Sequence, residues 1–235
     1  LGFYDVVEAA WGADMVAWLE AEELAEKRFL TSSCCPAFVN YIKKGFPELA
    51  ENISHNLSPM AQIARWLQEK DEGCHVVFIG PCIAKKGEKK YVDYAITFEE
   101  MQAMFSAKGI DVASMDKAQL GNASCFGRIF ARCGGLAEAV KEALKEQGVT
   151  EEQFGLSAVS CNGISECKAA LLKKQKGLLK ENFIEGMACE GGCIGGPACL
   201  SHNARNTAQV NAYGRSSAES SISDAIKAFR DEEKK

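Results

Sequence analysis

The sequence is poor in several features that would each point to a function. No apolar run approaches the roughly 18 residues of a membrane span, and no positively charged start leads into an apolar segment. Neither a transmembrane helix nor a secretion signal is therefore legible. Basic charge is in the minority: 27 Lys and Arg face 32 Asp and Glu, for a net charge of -5, and no basic cluster runs longer than Lys89, Lys90 and their neighbours. A nucleic-acid surface is not expected. Only three histidines occur, His55, His75 and His202, and there is no pair of C-x-x-C knuckles, so the usual spacing of a structural zinc site is missing. Internal repeats and low-complexity linkers are absent as well. The expectation that remains is a cytoplasmic protein without a membrane span.

Against these absences stand eleven cysteines in 235 residues. That is too many for an ordinary cytosolic core, too sparse for a small disulfide scaffold, and an odd number. Metal ligation or redox chemistry is the better reading, and thiolate-rich sites without histidine are more often iron-sulfur sites. A hydrophobic content of 47% can bury a substantial core, in one large domain or two lobes.

The chain opens at Leu1 without a methionine, as expected of a piece from the middle of something longer. Apolar residues at three- and four-residue steps from Val7 to Leu24 predict a helix over about 6–27, with Glu20 and Glu23 on one face. On spacing alone those two carboxylates read as a solvated acidic surface. Phe29 and Leu30 form a strand end leading into Thr31-Ser32-Ser33-Cys34-Cys35-Pro36. Pro36 suits the first turn of a helix to Lys44 and puts Cys35 at its N-terminus, where the helix dipole favours thiolate; two buried thiols are the other reading of Cys34-Cys35. Ser58-Pro59 repeats the device for a helix to about Glu69. Cys74 to Ile79 is an apolar run of strand length, expected to be covered on both faces, and it empties into Gly80-Pro81-Cys82. Tyr94 to Ile96 reads as a strand, Thr97 to Glu100 as a capping box, 134–147 as a helix, 155–159 as a strand, 163–174 as a helix and 182–187 as a strand. The polar tail, 201–235, reads as a separate segment with a weak helix over 221–230.

Glu185 to Cys199 reads E-G-M-A-C-E-G-G-C-I-G-G-P-A-C. Glycine-rich segments of this kind pack poorly as helix or strand but let the backbone close around a bulky object and offer N–H groups to it. An incidental glycine-rich turn is the plain alternative. With Cys34 and Cys35, and with Cys82, it makes three cysteine loops that each follow a strand, so parallel strands would bring them to one sheet edge.

These loops, T-S-S-C-C-P-A-F, I-G-P-C-I-A-K-K-G-E and E-G-M-A-C-E-G-G-C-I-G-G, resemble the signature loops of the iron-only, or diiron, hydrogenases, and the resemblance runs from about Gly2 to Cys199. It implies an α/β fold of two lobes of mainly parallel sheet flanked by helices, with the cluster in the cleft between them. It also implies an H-cluster: a 4Fe-4S cubane held by Cys35, Cys82, Cys189 and Cys193, with Cys193 bridging to a diiron carbonyl/cyanide dithiolate unit. Cys34 would exchange protons with the dithiolate, Lys85 would bind a cyanide, and Met187, Gly80 and Pro81 would line the diiron pocket. Cys34, Glu23, Ser54 and Glu20, in that order, would carry protons to the surface. The implied activity is reversible reduction of protons to hydrogen with electrons from ferredoxin or an electron-transfer subunit, after loading by maturation proteins.

The match has departures. Gly80 stands where catalytic members have methionine, Phe38 replaces a tryptophan, Met60 stands for a glutamine, and Gly196-Pro197 shortens a glycine-glycine-glutamine-proline run. Such changes occur in sensory members, so a hydrogen sensor is an alternative, and a cubane-only relative in iron-sulfur assembly is another. Cys125, Cys133, Cys161, Cys167 and Cys199 read as structural thiols, with an accessory cluster or redox switch as the alternative.

Overall fold

The computed structural model describes residues 1–233 apart from Lys89, Gln119 and Asn122. Helix α1 (Ala9–Lys27) ends at Arg28, whose left-handed backbone (φ 66°) turns its N–H back onto Leu24 O. Strand β1 (Leu30–Thr31) then delivers the two adjacent cysteines, and α2 (Pro36–Gly45) begins with Cys35 in the capping position. Helix α3 (Pro59–Lys70) starts as its sequence requires, with Ser58 Oγ accepting from Ala61 N–H. Strands β2 (Val77–Gly80) and β3 (Tyr94–Thr97) lead to α4 (Phe98–Ala107), where Thr97 and Glu100 close the predicted capping box.

A short α5 (Cys125–Ile129) follows, then α6 (Gly135–Glu146), β4 (Ala158–Asn162), α7 (Ile164–Gln175) and β5 (Phe183–Met187). The chain closes with α8 (Asn206–Arg215), α9 (Ile222–Ala225) and α10 (Lys227–Glu233). Helices α5 and α8 have no counterpart in the sequence reading, because neither carries a wide apolar stripe. The weak helix expected over 221–230 is broken at Ile226 into two.

Among the described residues the named strands pair in parallel, in two separate sheets: β1-β5-β4 and β2-β3. The α/β architecture of parallel sheet flanked by helices is thus as expected, but the cysteine loops leave two sheets and not one edge. The loops after β1 and β5 come from the three-stranded sheet, and the Cys82 loop from the two-stranded one. Pairing of β2 starts at Val77, later than the apolar run, and Val77, Phe78 and Ile79 are half-buried and not covered on both faces. A two-stranded sheet has too little layer on either side to bury them, and Phe78 and Ile79 line a cavity instead.

The main core forms around α1, which packs against α3, α5, α6 and α9. Met15, Val16, Ala17, Ala21 and Leu24 are fully buried, and so are the carboxylates of Asp14 and Glu20. Asp14 is held by Ser124, whose backbone N–H (2.7 Å) and Oγ (2.5 Å) both donate to it; burial still pushes its carboxyl up to about 7. Ile222, Ile226 and Phe229, at helical spacing in the polar tail, enter this same core, and Trp11 Nε1 donates to Ala225 O at 2.7 Å. A second core joins α2, α7 and β5 around Phe38, Ile42, Leu171 and Ile184.

Candidate functional site

Parallel pairing puts the loops after β1 and β5 side by side. Cys35 opens α2, and Cys189 stands two residues beyond the end of β5. After Cys189 the chain turns sharply through Gly191 and Gly192, both at φ above 80°, where a side chain would be strained. The turn sends Cys193 N–H to Ala131 O at 2.7 Å, and a Cβ on Gly192 would lie 2.7 Å from Cys133 N. The loop after β2 closes against this one: Ala198 N–H donates to Pro81 O at 3.2 Å, and a Cβ on Gly196 would stand 2.6 Å from that oxygen. Cys82 is thereby brought to the other two loops.

The electrostatics of the thiols express that convergence. Burial raises the Cys189 thiol, and Cys35 and Cys82 raise it further. Cys193 is pushed up to about 12 by burial first and then by Cys35, with Cys82 and Cys189 adding to the effect and Lys85 opposing it. Four thiols at one place would repel one another as thiolates, so ionising them together needs a cationic partner. Among the described residues no three acidic, histidine or cysteine groups lie close enough to hold one metal ion. Four thiols from three loops suit a polynuclear cluster, each iron taking one thiolate. The donor set fits a four-iron cubane and not a mononuclear ion.

Beside the thiols lies a cavity of about 640 Å³, mostly apolar, whose wall includes Cys34, Gly80, Pro81, Lys85, Met187 and Cys193. Its volume and dry lining suit a compact, rigid metal unit better than a flexible polar substrate. Lys85 is a buried cation in this wall, 8% exposed, with Nζ donating to Cys34 O at 3.2 Å and to Glu88 Oε2 at 2.6 Å. Glu88 in turn accepts from Ser58 Oγ, so the N-cap of α3 holds the carboxylate that holds the lysine. The sequence reading gave Glu88 no part; the three-residue step from Lys85 was its only signal.

The predicted proton-relay residues also meet, but in a different order. Cys34 is buried, and burial followed by the Glu20 carboxylate lifts its thiol well above the ordinary value. Glu20 is fully buried with neither oxygen hydrogen-bonded, and burial, followed by repulsion from Glu23, pushes it up to about 8. Ser54 Oγ donates to Glu23 Oε2 at 2.8 Å. Glu23 lies at the surface end, where burial raises its carboxyl but Lys27, Ser54 and the His55 N–H together bring it below the ordinary value. The expected sequence from Cys34 through Glu23 to Glu20 is therefore reversed: Glu20 neighbours Cys34 and Glu23 faces out. Both carboxylates share one helix face, and only the packing around α1 sets which end of that face is deep.

Among the remaining thiols, Cys161 and Cys167 are buried in the second core, and Cys199 lines the cavity. Cys199 donates to Ile194 O at 3.3 Å. The described cysteines are all free thiols.

Comparison with known proteins agrees with this geometry. Residues 1–197 match the model of the iron only hydrogenase large subunit, C-terminal domain. Iron hydrogenase 1 of Clostridium pasteurianum is 27% identical over 248 residues, covering 83% of this chain and 43% of that protein. The cytosolic Fe-S cluster assembly factor NAR1 of Kluyveromyces lactis is 36% identical over 91 residues, 36% of this chain and 19% of that protein. The structure of apo [FeFe]-hydrogenase HydA1 from Chlamydomonas reinhardtii superposes with a TM-score of 0.77 at 21% identity, covering 98% of this chain and 80% of that one. The chain spans about half the length of the first hydrogenases it matches. With its three cysteine loops gathered at one site and all but the last part of its length matched, the chain belongs to the iron-only hydrogenase large-subunit family, as its C-terminal domain.

Proposed function

We propose that this chain is the H-cluster domain of a hydrogenase that interconverts two protons and two electrons with molecular hydrogen. The observation that carries the reading is the cavity itself: one dry chamber is lined by the thiol of Cys193, here taken as a cubane ligand, by the thiol of Cys34, here taken as free, and by the buried cation Lys85. Cys35, Cys82, Cys189 and Cys193 would hold the cubane in this reading, with Cys193 the ligand on the side of the diiron unit. When bound, the cluster supplies the redox and hydrogen-binding chemistry.

The protein's own residues do the rest. Lys85, fixed by Glu88, offers an ammonium to an anionic ligand in an apolar wall, where such a hydrogen bond is strong. Met187, Gly80 and Pro81 shape the chamber and keep water from it. Cys34 gives and takes the proton at its Sγ; Glu20 and Glu23, with Ser54 between them, carry it to solvent, each able both to accept and to donate. Glu20, whose carboxyl is pushed up by burial, returns a proton to Cys34 after the thiol has given its own away. Electrons arrive from a ferredoxin or an electron-transfer domain or subunit, the cluster is installed by maturation proteins, and the setting is cytoplasmic.

Infrared spectroscopy of protein matured with the diiron cofactor, paired with a hydrogen-evolution assay using reduced ferredoxin, tests the reading. Carbonyl and cyanide bands with turnover support it. Bands with slow turnover favour a hydrogen sensor, for which the missing side chain at Gly80 speaks. No bands at all favour a cubane-only role in iron-sulfur assembly, for which the similarity to the assembly factor speaks.

A further inference from the structure

Around Glu23 the structure places a group for which the reading above has no use. Glu23 Oε1 accepts from Lys27 Nζ at 2.7 Å and lies 3.1 Å from Nδ1 of His55. The His55 backbone N–H is 3.1 Å from both oxygens of the same carboxylate, which anchors the residue to it. Lys27 Nζ also stands 2.7 Å from His55 Nδ1. The imidazole is 76% exposed, while Glu23 is 13% exposed. Nδ1 therefore faces an ammonium and a carboxylate oxygen, and it can accept from the first or donate to the second but not both at once. With Nδ1 turned inward on a ring that is three-quarters in solvent, Nε2 meets bulk water.

We propose that His55 takes protons from solvent and passes them to Glu23, a further proton-transfer residue whose purpose rests on the hydrogenase reading. The step balances. In the tautomer with hydrogen on Nδ1, the ring donates to Glu23 Oε1 and holds a lone pair out to water on Nε2. A proton from hydronium binds Nε2, and the Nδ1 proton moves to Glu23 Oε1. The ring is left neutral with hydrogen on Nε2, and Nδ1 now accepts from Lys27. Exchange with solvent returns it to the first tautomer. Lys27 thus stabilises the discharged ring, and Glu23 the loaded one. Glu23 by itself offers little surface to solvent, so without the imidazole, protons reach it only through what remains of that narrow opening.

The test follows Glu20, whose buried protonated carboxyl has no hydrogen-bond partner and so gives a C=O stretch apart from those of solvated carboxylic acids. Its band is assigned by its loss in Glu20→Gln. Stopped-flow infrared of the intact protein mixed with D₂O, before and after cofactor loading, reads how fast that band moves to its deuterated position. In His55→Gln the exchange should slow by at least ~10-fold, less than the roughly 10²- to 10⁴-fold of a fully placed acid–base group because the narrow opening at Glu23 still admits solvent, and added imidazole should restore most of it. An unchanged rate in His55→Gln, or a slowed rate that imidazole does not restore, overturns the proposal. Loaded wild-type protein that shows no hydrogen turnover overturns the functional reading instead, whatever the exchange rates are.

Discussion

The ring of Phe78 lies across Gly80: a Cβ added to Gly80 would stand 2.6 Å from Phe78 Cζ and 2.7 Å from Cε1. The wall of the cavity at this point is made by a side chain two residues back along β2, on the same face of the strand. The absence of a side chain at Gly80 is thus matched by the presence of one at Phe78.

Gly80→Met should therefore destabilise the protein by about 1–3 kcal/mol, as overpacking does. Adding Phe78→Ala should recover at least half of that loss, with a coupling above ~1 kcal/mol in a double-mutant cycle of urea unfolding. Additive losses would show that the ring is not the obstacle.

Cys34 lines the cavity without belonging to the proposed cubane ligands. Cys34→Ala should leave iron content and the carbonyl and cyanide bands of the matured protein intact and lower turnover by roughly 10²- to 10⁴-fold, the scale of a lost acid–base group. Loss of iron along with activity would make Cys34 a ligand and not a relay.

Glu20 gives a pH dependence whose sign follows from its burial. Its carboxyl rises from 4.5 to about 8 in the folded protein, so between those values the folded state keeps a proton that the unfolded state has released. Stability is lost as pH rises through that window, by up to roughly 5 kcal/mol at 1.36 kcal/mol per pH unit. Glu20→Gln, which cannot ionise, should be more stable than wild type near pH ~9 and lose that advantage towards pH ~5. Urea midpoints at both ends check this, and a pH-independent difference would contradict it.

Lys85 and Glu88 form an ion pair with side chains 9% and 20% exposed. Glu88→Gln leaves the ammonium without a balancing charge in an apolar wall, with only neutral oxygens, that of the new amide and the Cys34 carbonyl, to accept from it. The loss should be about 2–4 kcal/mol, somewhat under that of a fully buried pair. Lys85→Met added to it should recover part, because two neutral groups cost less there than one unpaired charge. Thermal unfolding of the single and double variants measures the difference.

Much of the local structure was legible in the sequence because its causes are local. Ser58 before Pro59, and Thr97 three residues before Glu100, mark helix starts through hydrogen bonds spanning three residues, and both are as expected. The thiols of the three loops could be named because few residue types do their chemistry. Glu88 was harder to see, since its partner Ser58 is 30 residues away and the contact depends on how α3 meets the β2 loop. Helix α8 escaped because its apolar residues, such as Val210 and Tyr213, turn to the cavity or to solvent and leave no continuous stripe.

The sequence by itself determined the candidates: which thiols, which lysine, which two carboxylates three residues apart. Tertiary structure decided depth. A helix places Glu20 and Glu23 on one face whatever surrounds it, but the packing against α1 reaches Glu20 and stops short of Glu23. The first is thereby dehydrated and protonated, and the second is left within reach of Lys27, His55 and water. Solvation depends on every neighbour in space, so which of the two carboxylates lies deep follows from packing, as does the meeting of cysteine loops that leave two different sheets.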